Sequence, residues 1–304
     1  MSPSRLARRH ILALVLAAAC WGVGTALSKQ AVAEIPPLTL LIVQLGVSLV
    51  FLGAVARRRG DRLPGGPDGR RLAALGLLNP GLAYALSLLG LAQISASLSV
   101  LLWALEPVLI LVLAVVLLRE RPGIVVVTMS ALAVTGLALV VYDPAASGAL
   151  PGIALTIAGV GCCAVYTVAT RRWLPGTDST LGVVVAQQAY ALGLAIVLLG
   201  AAAVSVGVAV APTEVTPLGV ASTVASGLVY YGLAYAFYLS GLRWVPASVA
   251  AMSFYLIPVF GVGAATLLGD RLAPLQWVGA IVVVLAVSAV TVRSASGQAA
   301  EPSG

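Results

Sequence analysis

Long apolar stretches, separated by short polar or charged segments, occupy most of this chain. Their hydrophobic residues do not alternate with polar ones, as they would in half-buried strands. Each stretch is close to the ~20 residues that an α-helix needs to cross a bilayer core of about 30 Å. We therefore predict an all-α integral membrane protein with ten transmembrane helices. The predicted spans are 11–30, 38–56, 71–91, 97–118, 122–141, 151–170, 181–202, 217–240, 246–268 and 274–292.

The composition indicates that lipid is the solvent of these helices. Hydrophobic residues make up 61% of the 304 residues and charged residues only 9%, and the mean hydropathy is +1.07. A soluble domain carries about 25% charged residues, so a soluble fold could not cover this much apolar surface. Cys20, Cys162 and Cys163 fall inside predicted spans and form no metal or disulfide pattern, so we interpret them as small packing residues.

An internal repeat divides the chain into two related halves. Residues 81–85, Gly-Leu-Ala-Tyr-Ala, return 151 positions later at 232–236, and 13 of the 28 positions from 81 to 108 are identical without a gap. The first span matches the sixth at an offset of 142, which pairs Thr25 with Thr167. A duplicated half in an apolar chain is typical of secondary transporters, whose binding site lies between the halves.

We expect two five-helix repeats at 11–143 and 151–293. Because five is odd, the second copy begins on the opposite side of the membrane, so the two repeats are inverted relative to each other. Residues 1–10 and 294–304 are expected to form cytoplasmic tails. The second tail is polar, which favours disorder.

The basic residues that give a net charge of +7 are distributed unevenly across the membrane. With a cytoplasmic N-terminus, alternate loops place 15 of the 17 basic residues on the cytoplasmic side and leave only Lys29 and Arg271 outside. This asymmetry favours cytoplasmic termini and an even number of spans. We expect the basic clusters to contact membrane lipid headgroups, not nucleic acid. Sixteen arginines to one lysine, with abundant alanine, are typical of a GC-rich bacterium and hence of its inner membrane.

Several short motifs are similar to those of a known family. The sequences Leu-Glu-Pro-Val at 105–108, Leu-Arg-Glu at 118–120 and Cys-Trp-Gly at 20–22 resemble the EamA family of the drug/metabolite transporter (DMT) superfamily. The second copy carries Leu-Ile-Pro-Val at 256–259, so the resemblance extends over about residues 10–293. It implies a ten-helix carrier that moves small metabolites, often exporting amino acids or related compounds.

Two prolines and one carboxyl predict a central site. Pro107 and Pro258 interrupt corresponding helices, and each leaves a carbonyl without its helical donor. In a bilayer that carbonyl needs another partner, so the interruptions mark a binding site; kinks that serve packing are the alternative. Glu106 is the only acidic residue well inside a span. It suits proton coupling or a counter-ion for a substrate amine, and a structural hydrogen bond or a pair with Lys29 is the alternative.

Aromatic and amide side chains complete the predicted substrate site. Such groups suit a small zwitterion or another polar compound, although aromatic residues in spans also serve packing or interfacial anchoring. Lys29, near the outer end of the first span, either snorkels outward or lines an external gate. The remaining candidates are Trp21, Gln44, Asn79, Trp103, Gln187, Tyr231, Tyr235 and Tyr255.

The sequence therefore favours a secondary-active permease that exports a small molecule by alternating access, with or without proton coupling and without a cofactor. An ATP-driven pump is excluded because the chain has no Gly-x-x-x-x-Gly-Lys-Ser/Thr loop. An intramembrane enzyme for a lipid or isoprenoid substrate is disfavoured, since the only histidine, His10, is expected in the cytoplasmic N-terminal tail and the spans show no paired carboxylates or metal-ligand cluster. A channel or a non-transporting membrane partner is the third class. Monomer and homodimer both remain open.

Overall fold

The computed structural model shows helices joined by turns, and no strand occurs among the residues it describes. Those residues are 3–118, 128, 131–132, 135–136, 149–173, 179–206, 210–212, 214–242, 253–269, 271, 273–275, 277–282 and 285.

Eleven α-helices can be followed in the described part of the chain. They are α1 (Pro3–Val32), α2 (Pro37–Arg59), α3 (Gly66–Ala74), α4 (Ala83–Leu91), α5 (Ala96–Trp103), α6 (Glu106–Leu118), α7 (Leu150–Trp173), α8 (Thr180–Val206), α9 (Pro217–Ser226), α10 (Ala234–Leu242) and α11 (Ile257–Leu267). Short 3₁₀-helices occupy Leu75–Leu77 and Ser253–Leu256, and π-helical segments occupy Leu78–Leu82 and Gly227–Leu233.

Six helical stretches of the described chain are long and apolar enough to cross a membrane. Two shorter apolar helices, Ala96–Ile110 and Ile257–Leu267, coincide with the predicted fourth and ninth spans. The predicted fifth and tenth spans, 122–141 and 274–292, lie largely outside the described residues, so the total of ten stays a prediction. The six long stretches are His10–Val32, Pro37–Arg59, Gly66–Leu91, Leu150–Thr170, Thr180–Ser205 and Pro217–Gly241.

Helix boundaries follow local sequence. Pro37 lies in the first turn of α2, where its missing N–H costs nothing, and Gly60 ends that helix in the left-handed region with φ 70°. Ser95 caps α5 by accepting a hydrogen bond from the Leu98 N–H, and Thr216 caps α9 by accepting one from the Gly219 N–H. These caps satisfy backbone N–H groups that have no partner within the helix.

The sequence repeat is also a repeat of helix irregularities. The π-helical segments Leu78–Leu82 and Gly227–Leu233 come directly before α4 and α10, which begin at equivalent alanines. The helices α6 and α11 begin at Glu106 and Ile257, which again lie 151 positions apart. Breaks in regular helix therefore recur at matching places in both halves.

Helices of one half pack mainly against helices of the other half. In the N-terminal half, α1 contacts α10 and α11, and in the C-terminal half its counterpart α7 contacts α4 and α6. The pair α2 and α8, each the second long helix of its half, also pack against each other. The same set of contacts is thus made twice, with the two halves exchanged.

The equivalent helices α2 and α8 run in opposite directions. At one end, the Thr39 hydroxyl donates to the Val210 carbonyl at 2.6 Å, which joins the start of α2 to the chain that follows α8. At the other end, the Ser179 hydroxyl donates to the Asp61 carboxylate at 2.8 Å, which joins the start of α8 to the chain that follows α2. Equivalent helices that lie antiparallel are related by an axis perpendicular to both.

Candidate functional site between the halves

A cavity of about 550 Å³ of atom-free space, part of it open at its mouth, lies between the two halves. Its walls come from the spans that contain α1, α4, α5–α6, α7, α10 and α11, so each half contributes three. The described lining residues are Trp21, Thr25, Asn79, Tyr84, Trp103, Glu106, Cys163, Tyr166, Thr167, Tyr230, Tyr235, Tyr238, Leu239, Phe254 and Ile257.

Most of these lining residues occupy equivalent positions of the repeat. Two pairs are related by the offset of 142 and four by the offset of 151, so the cavity lies on the axis that relates the halves. The six pairs are Trp21 with Cys163, Thr25 with Thr167, Asn79 with Tyr230, Tyr84 with Tyr235, Trp103 with Phe254, and Glu106 with Ile257.

One of these pairs meets directly. The Tyr235 hydroxyl lies 3.0 Å from the Tyr84 hydroxyl and 3.4 Å from the side-chain oxygen of Asn79. All three residues are at most 4% exposed. A hydrogen bond between equivalent tyrosines of two repeats marks the place where the axis passes through the protein.

Glu106 supplies the only carboxyl among the described lining residues. The chain turns at Ala104 and Leu105, and α6 then begins at Glu106, where a carboxylate interacts favourably with the helix N-terminus. The side chain is 4% exposed. Its Oε1 accepts hydrogen bonds from the Cys163 thiol at 3.2 Å and from the Thr167 hydroxyl at 3.5 Å.

The two prolines each stand second in a new helix. Pro107 follows Glu106 in α6, and Pro258 follows Ile257 in α11. Proline is well suited to the first turn of a helix, because its N–H is not needed there and its φ is already helical. The helix breaks therefore place Glu106 and Ile257, a charge and its apolar counterpart, on opposite sides of the same cavity.

Aromatic rings form the wall at one end of the cavity. The ring of Trp21 meets Tyr235, Tyr238 and Phe254 edge to face, with centroid distances of 5.6, 5.3 and 5.5 Å. Tyr238 and Phe254 stack on each other at 5.0 Å. Such pairs add about 0.5–1.5 kcal/mol each beyond the area that they bury, so this end is firmly packed.

A smaller cavity of about 290 Å³ adjoins the central one. The two cavities share Thr25, Tyr84, Trp103 and Tyr230. Its additional lining includes the hydroxyl groups of Ser28, Ser87 and Ser99. Small hydroxyl side chains therefore contribute to the lining of the smaller cavity, which lies toward the Lys29 end of α1.

The structure brings several of the predicted site residues together. Tyr231 lines the smaller cavity. Pro107 and Pro258 lie beside lining residues in sequence but do not line the central cavity themselves. The side chain of Tyr255 is outside the described residues. The predicted residues that line the central cavity are Trp21, Asn79, Trp103, Glu106 and Tyr235.

Three other predicted site residues, Gln44, Gln187 and Lys29, line neither cavity themselves and hydrogen-bond to the protein. The Gln44 amide donates to the hydroxyls of Ser28 and Ser226 at 3.0 and 2.7 Å. The Gln187 amide donates to the Leu72 carbonyl at 2.9 Å. These contacts join neighbouring helices, so packing between helices accounts for both amides without a place in the cavity lining.

The third of these residues, Lys29, contacts the end of a helix. Its Nζ donates to the carbonyl of Leu91, the last residue of α4, at 2.8 Å. A cation at a helix C-terminus is favourable because the last carbonyls lack helical partners. The hydrogen bonds described for the Glu106 carboxylate come from Cys163 and Thr167.

Ten of the 15 described lining residues are not among the site residues predicted from the sequence. Cys163 was interpreted as a packing residue, whereas its thiol donates to the Glu106 carboxylate. The internal repeat could have revealed several of them. A residue 142 or 151 positions from a predicted site residue is its repeat equivalent and is expected to line the same cavity on the axis between the halves. The ten residues are Thr25, Tyr84, Cys163, Tyr166, Thr167, Tyr230, Tyr238, Leu239, Phe254 and Ile257.

Comparison with known proteins assigns the family. The profile of the EamA-like transporter family matches residues 8–142 and again residues 150–292. This chain belongs to the EamA-like transporter family. The resemblance found in the short motifs is thereby confirmed, and the protein is a multi-pass membrane transporter of the drug/metabolite type.

The fold is also found among solved structures, 24 chains of which match. One of these, described only as "Crystal structure of protein", has a TM-score of 0.68 and 18% sequence identity. The match covers 94% of this chain and 98% of that one. At this identity the likeness concerns the fold alone. No match is found among curated proteins.

Proposed function

We propose that the protein is a secondary-active permease that exports a small metabolite, such as an amino acid or a related compound, by alternating access. The observation that carries this proposal is the central cavity, whose lining includes six pairs of repeat-equivalent residues, one of which supplies the carboxyl of Glu106. A site on the axis between two halves can open to either side when the halves rock against each other.

The proposed topology is ten helices in two inverted five-helix repeats, with both termini in the cytoplasm of a bacterial inner membrane. The antiparallel contact of α2 with α8 supports the inversion, because it puts the relating axis in the plane of the membrane. The basic loops support the orientation, since 15 of 17 basic residues lie on one side.

The two ends of the central cavity carry side chains of different size at equivalent positions of the repeat. A carrier that is closed on one side at a time requires such a difference in each of its states. Ser87 lines the smaller cavity toward the Lys29 end of α1, which the charge distribution places outside. Its repeat equivalent, Tyr238, belongs to the aromatic wall with Trp21 and Phe254. The small Ser87 side chain on the proposed outer side and the stacked Tyr238 ring on the proposed inner side support a state in which the inner side is the more tightly closed.

Glu106 is the proposed coupling group of the cycle. A buried carboxylate is costly in a bilayer. The groups that donate hydrogen bonds to its Oε1, the Cys163 thiol and the Thr167 hydroxyl, carry no charge. Binding of either a proton or a substrate amine would neutralise the charge. Competition between the two at one carboxyl would link export of the amine to entry of a proton.

Counterflow in proteoliposomes tests the carrier function. Vesicles that contain the purified protein and an excess of unlabelled substrate inside should take up the labelled compound transiently against its gradient. A carrier shows this trans-stimulation because each half-cycle carries a bound molecule, and a channel does not. Saturation without trans-stimulation would favour a channel, and a chemically altered product recovered from the vesicles would favour an enzyme.

Replacing either Pro107 or Pro258 with alanine should slow transport at least about threefold while expression changes little, because an added N–H allows the interrupted helix to regularise. The control is Pro217→Ala, which changes an exposed proline in the first turn of α9, away from the cavity. Initial rates per milligram of reconstituted protein are the measurement. Wild-type rates in both variants would show that the helix breaks are not required for cycling.

A further inference from the structure

The central cavity is charged on one side only. Glu106 is the sole charged residue among its described lining residues, and no lysine, arginine or histidine accompanies it there. The equivalent position in the second half is Ile257, so the axis relates a carboxyl to an aliphatic side chain. The cavity therefore recognises the two ends of an asymmetric molecule differently.

From this arrangement, and resting on the proposed carrier function, we propose that the substrate is an organic monocation. It carries one amine and an apolar or aromatic body, and it lacks a free carboxylate. The amine would bind the Glu106 carboxylate, and the body would lie toward the wall of Trp21, Tyr238 and Phe254. An amine of this kind is the decarboxylated relative of an amino acid.

The described hydrogen-bond donors of the Glu106 carboxylate provide no positive charge. Both of its hydrogen-bond donors, Cys163 and Thr167, are neutral, and both reach Oε1. The sole lysine of the chain, Lys29, donates to the Leu91 carbonyl and does not line this cavity. A buried carboxylate of this kind is stabilised by pairing, and an ammonium group in the cavity would provide the pair.

Aromatic rings supply the second element of recognition. Eight of the 15 lining residues are aromatic. Ring faces attract ammonium groups, most strongly where water is excluded, and ring edges pack well against an aromatic body. Tyr84 and Trp103, at a centroid distance of 5.7 Å, line both cavities and would lie along the path of the amine.

The same lining disfavours the carboxylate of an amino acid. Apart from the Glu106 carboxyl, the described polar groups of the lining are hydroxyl, thiol, amide and indole N–H groups, which can hydrogen-bond to an oxygen but carry no positive charge to neutralise an anion. A second carboxylate in the cavity would also repel Glu106, because Coulomb interactions are strong where water is excluded. The site should therefore bind a zwitterion more weakly than a monocation, because it offers one carboxylate and no positive charge.

Three matched probes test the inference on the purified full-length protein in detergent. They are 2-phenylethylamine, which is a cation; 2-phenylethanol, in which a hydroxyl replaces the ammonium; and phenylalanine, which adds a carboxylate. Trp21 and Trp103 line the cavity, so tryptophan fluorescence reports binding. Thermal stabilisation gives an independent readout, because a ligand that binds only the folded state raises the apparent stability.

We expect 2-phenylethylamine to bind at least about tenfold more tightly than the other two probes, because a hydrogen bond between charged groups is stronger than one that involves a neutral partner. Glu106→Gln should remove that preference. The matched control is Glu214→Gln, which makes the same change at an exposed position outside the lining and should retain it.

Equal or tighter binding of phenylalanine, equal binding of the alcohol, or no binding of the amine would each overturn the inference. So would an unchanged preference in a Glu106→Gln protein that melts like the wild type. Counterflow with a labelled metabolite mixture separates this failure from failure of the carrier function. Counterflow of some other compound would support the carrier function and contradict the proposed substrate class. The absence of counterflow with every compound would contradict both proposals.

Discussion

Glu106→Gln is expected to abolish proton-linked transport and to leave folding and membrane insertion intact. Glutamine has nearly the same shape as glutamate and can still accept from the Cys163 thiol, but it carries no charge and cannot release a proton. Transport should fall at least about tenfold, since interactions with a charged group are worth about 1.5–3 kcal/mol. The measurement is proton influx into dye-loaded proteoliposomes, recorded together with substrate efflux.

Glu214→Gln is the control for this experiment, because it removes an exposed carboxyl outside the cavity. The variant should keep the wild-type ratio of protons to substrate. Unchanged proton influx and unchanged efflux in Glu106→Gln would rule out a coupling role for this carboxyl. Lost substrate binding with persistent, uncoupled proton movement would instead assign it to substrate recognition alone.

Gly22→Ala is expected to lower the stability of the protein by forcing two helices apart. A Cβ atom at Gly22 would lie 2.6 Å from the Gly261 nitrogen and 2.7 Å from the Ile257 oxygen. These are backbone atoms of α11 and its first turn, which cannot rotate away, so α1 and α11 would have to separate. Overpacking of this kind costs about 1–3 kcal/mol, and the apparent melting temperature in detergent should fall by several degrees.

Gly46→Ala is the matched control, since no described atom lies within 4 Å of a Cβ at this position of α2. Replacing a helical glycine without a clash contributes about 0.5–1 kcal/mol of stability, so this variant should melt at or above the wild-type temperature. Equal melting of the two variants would mean that α1 and α11 are not in close contact. Because Trp21 and Ile257 line the cavity beside this contact, Gly22→Ala should also impair transport.

The site residues that could be predicted from the sequence are those whose polar groups are costly to place in an apolar span. Glu106 was a candidate because a lone carboxyl in an apolar span is expensive wherever it lies. Gln44 was a candidate on the same ground, yet its amide binds Ser28 and Ser226 between helices. A polar residue within an apolar span indicates that its side chain needs a hydrogen-bond partner. It does not state whether that partner is another helix or a ligand.

The partners of the carboxyl could not be predicted in the same way. Cys163 and Thr167 come from α7, on the other half of the chain. A thiol and a hydroxyl are common on the packing faces of membrane helices, so neither residue stands out along the sequence. Their role depends on how α7 crosses α6, which is a property of the packed protein.

By itself the sequence determined the membrane class, the positions of most spans, the duplication and the family, since hydropathy and repetition are carried by neighbouring residues. Tertiary structure alone decided that equivalent residues face one another across a common cavity. It also decided that Lys29 binds a helix end while Glu106 faces the interior. The physical reason is that helix crossings are set by side-chain packing between segments far apart in the chain, and no local pattern records those contacts.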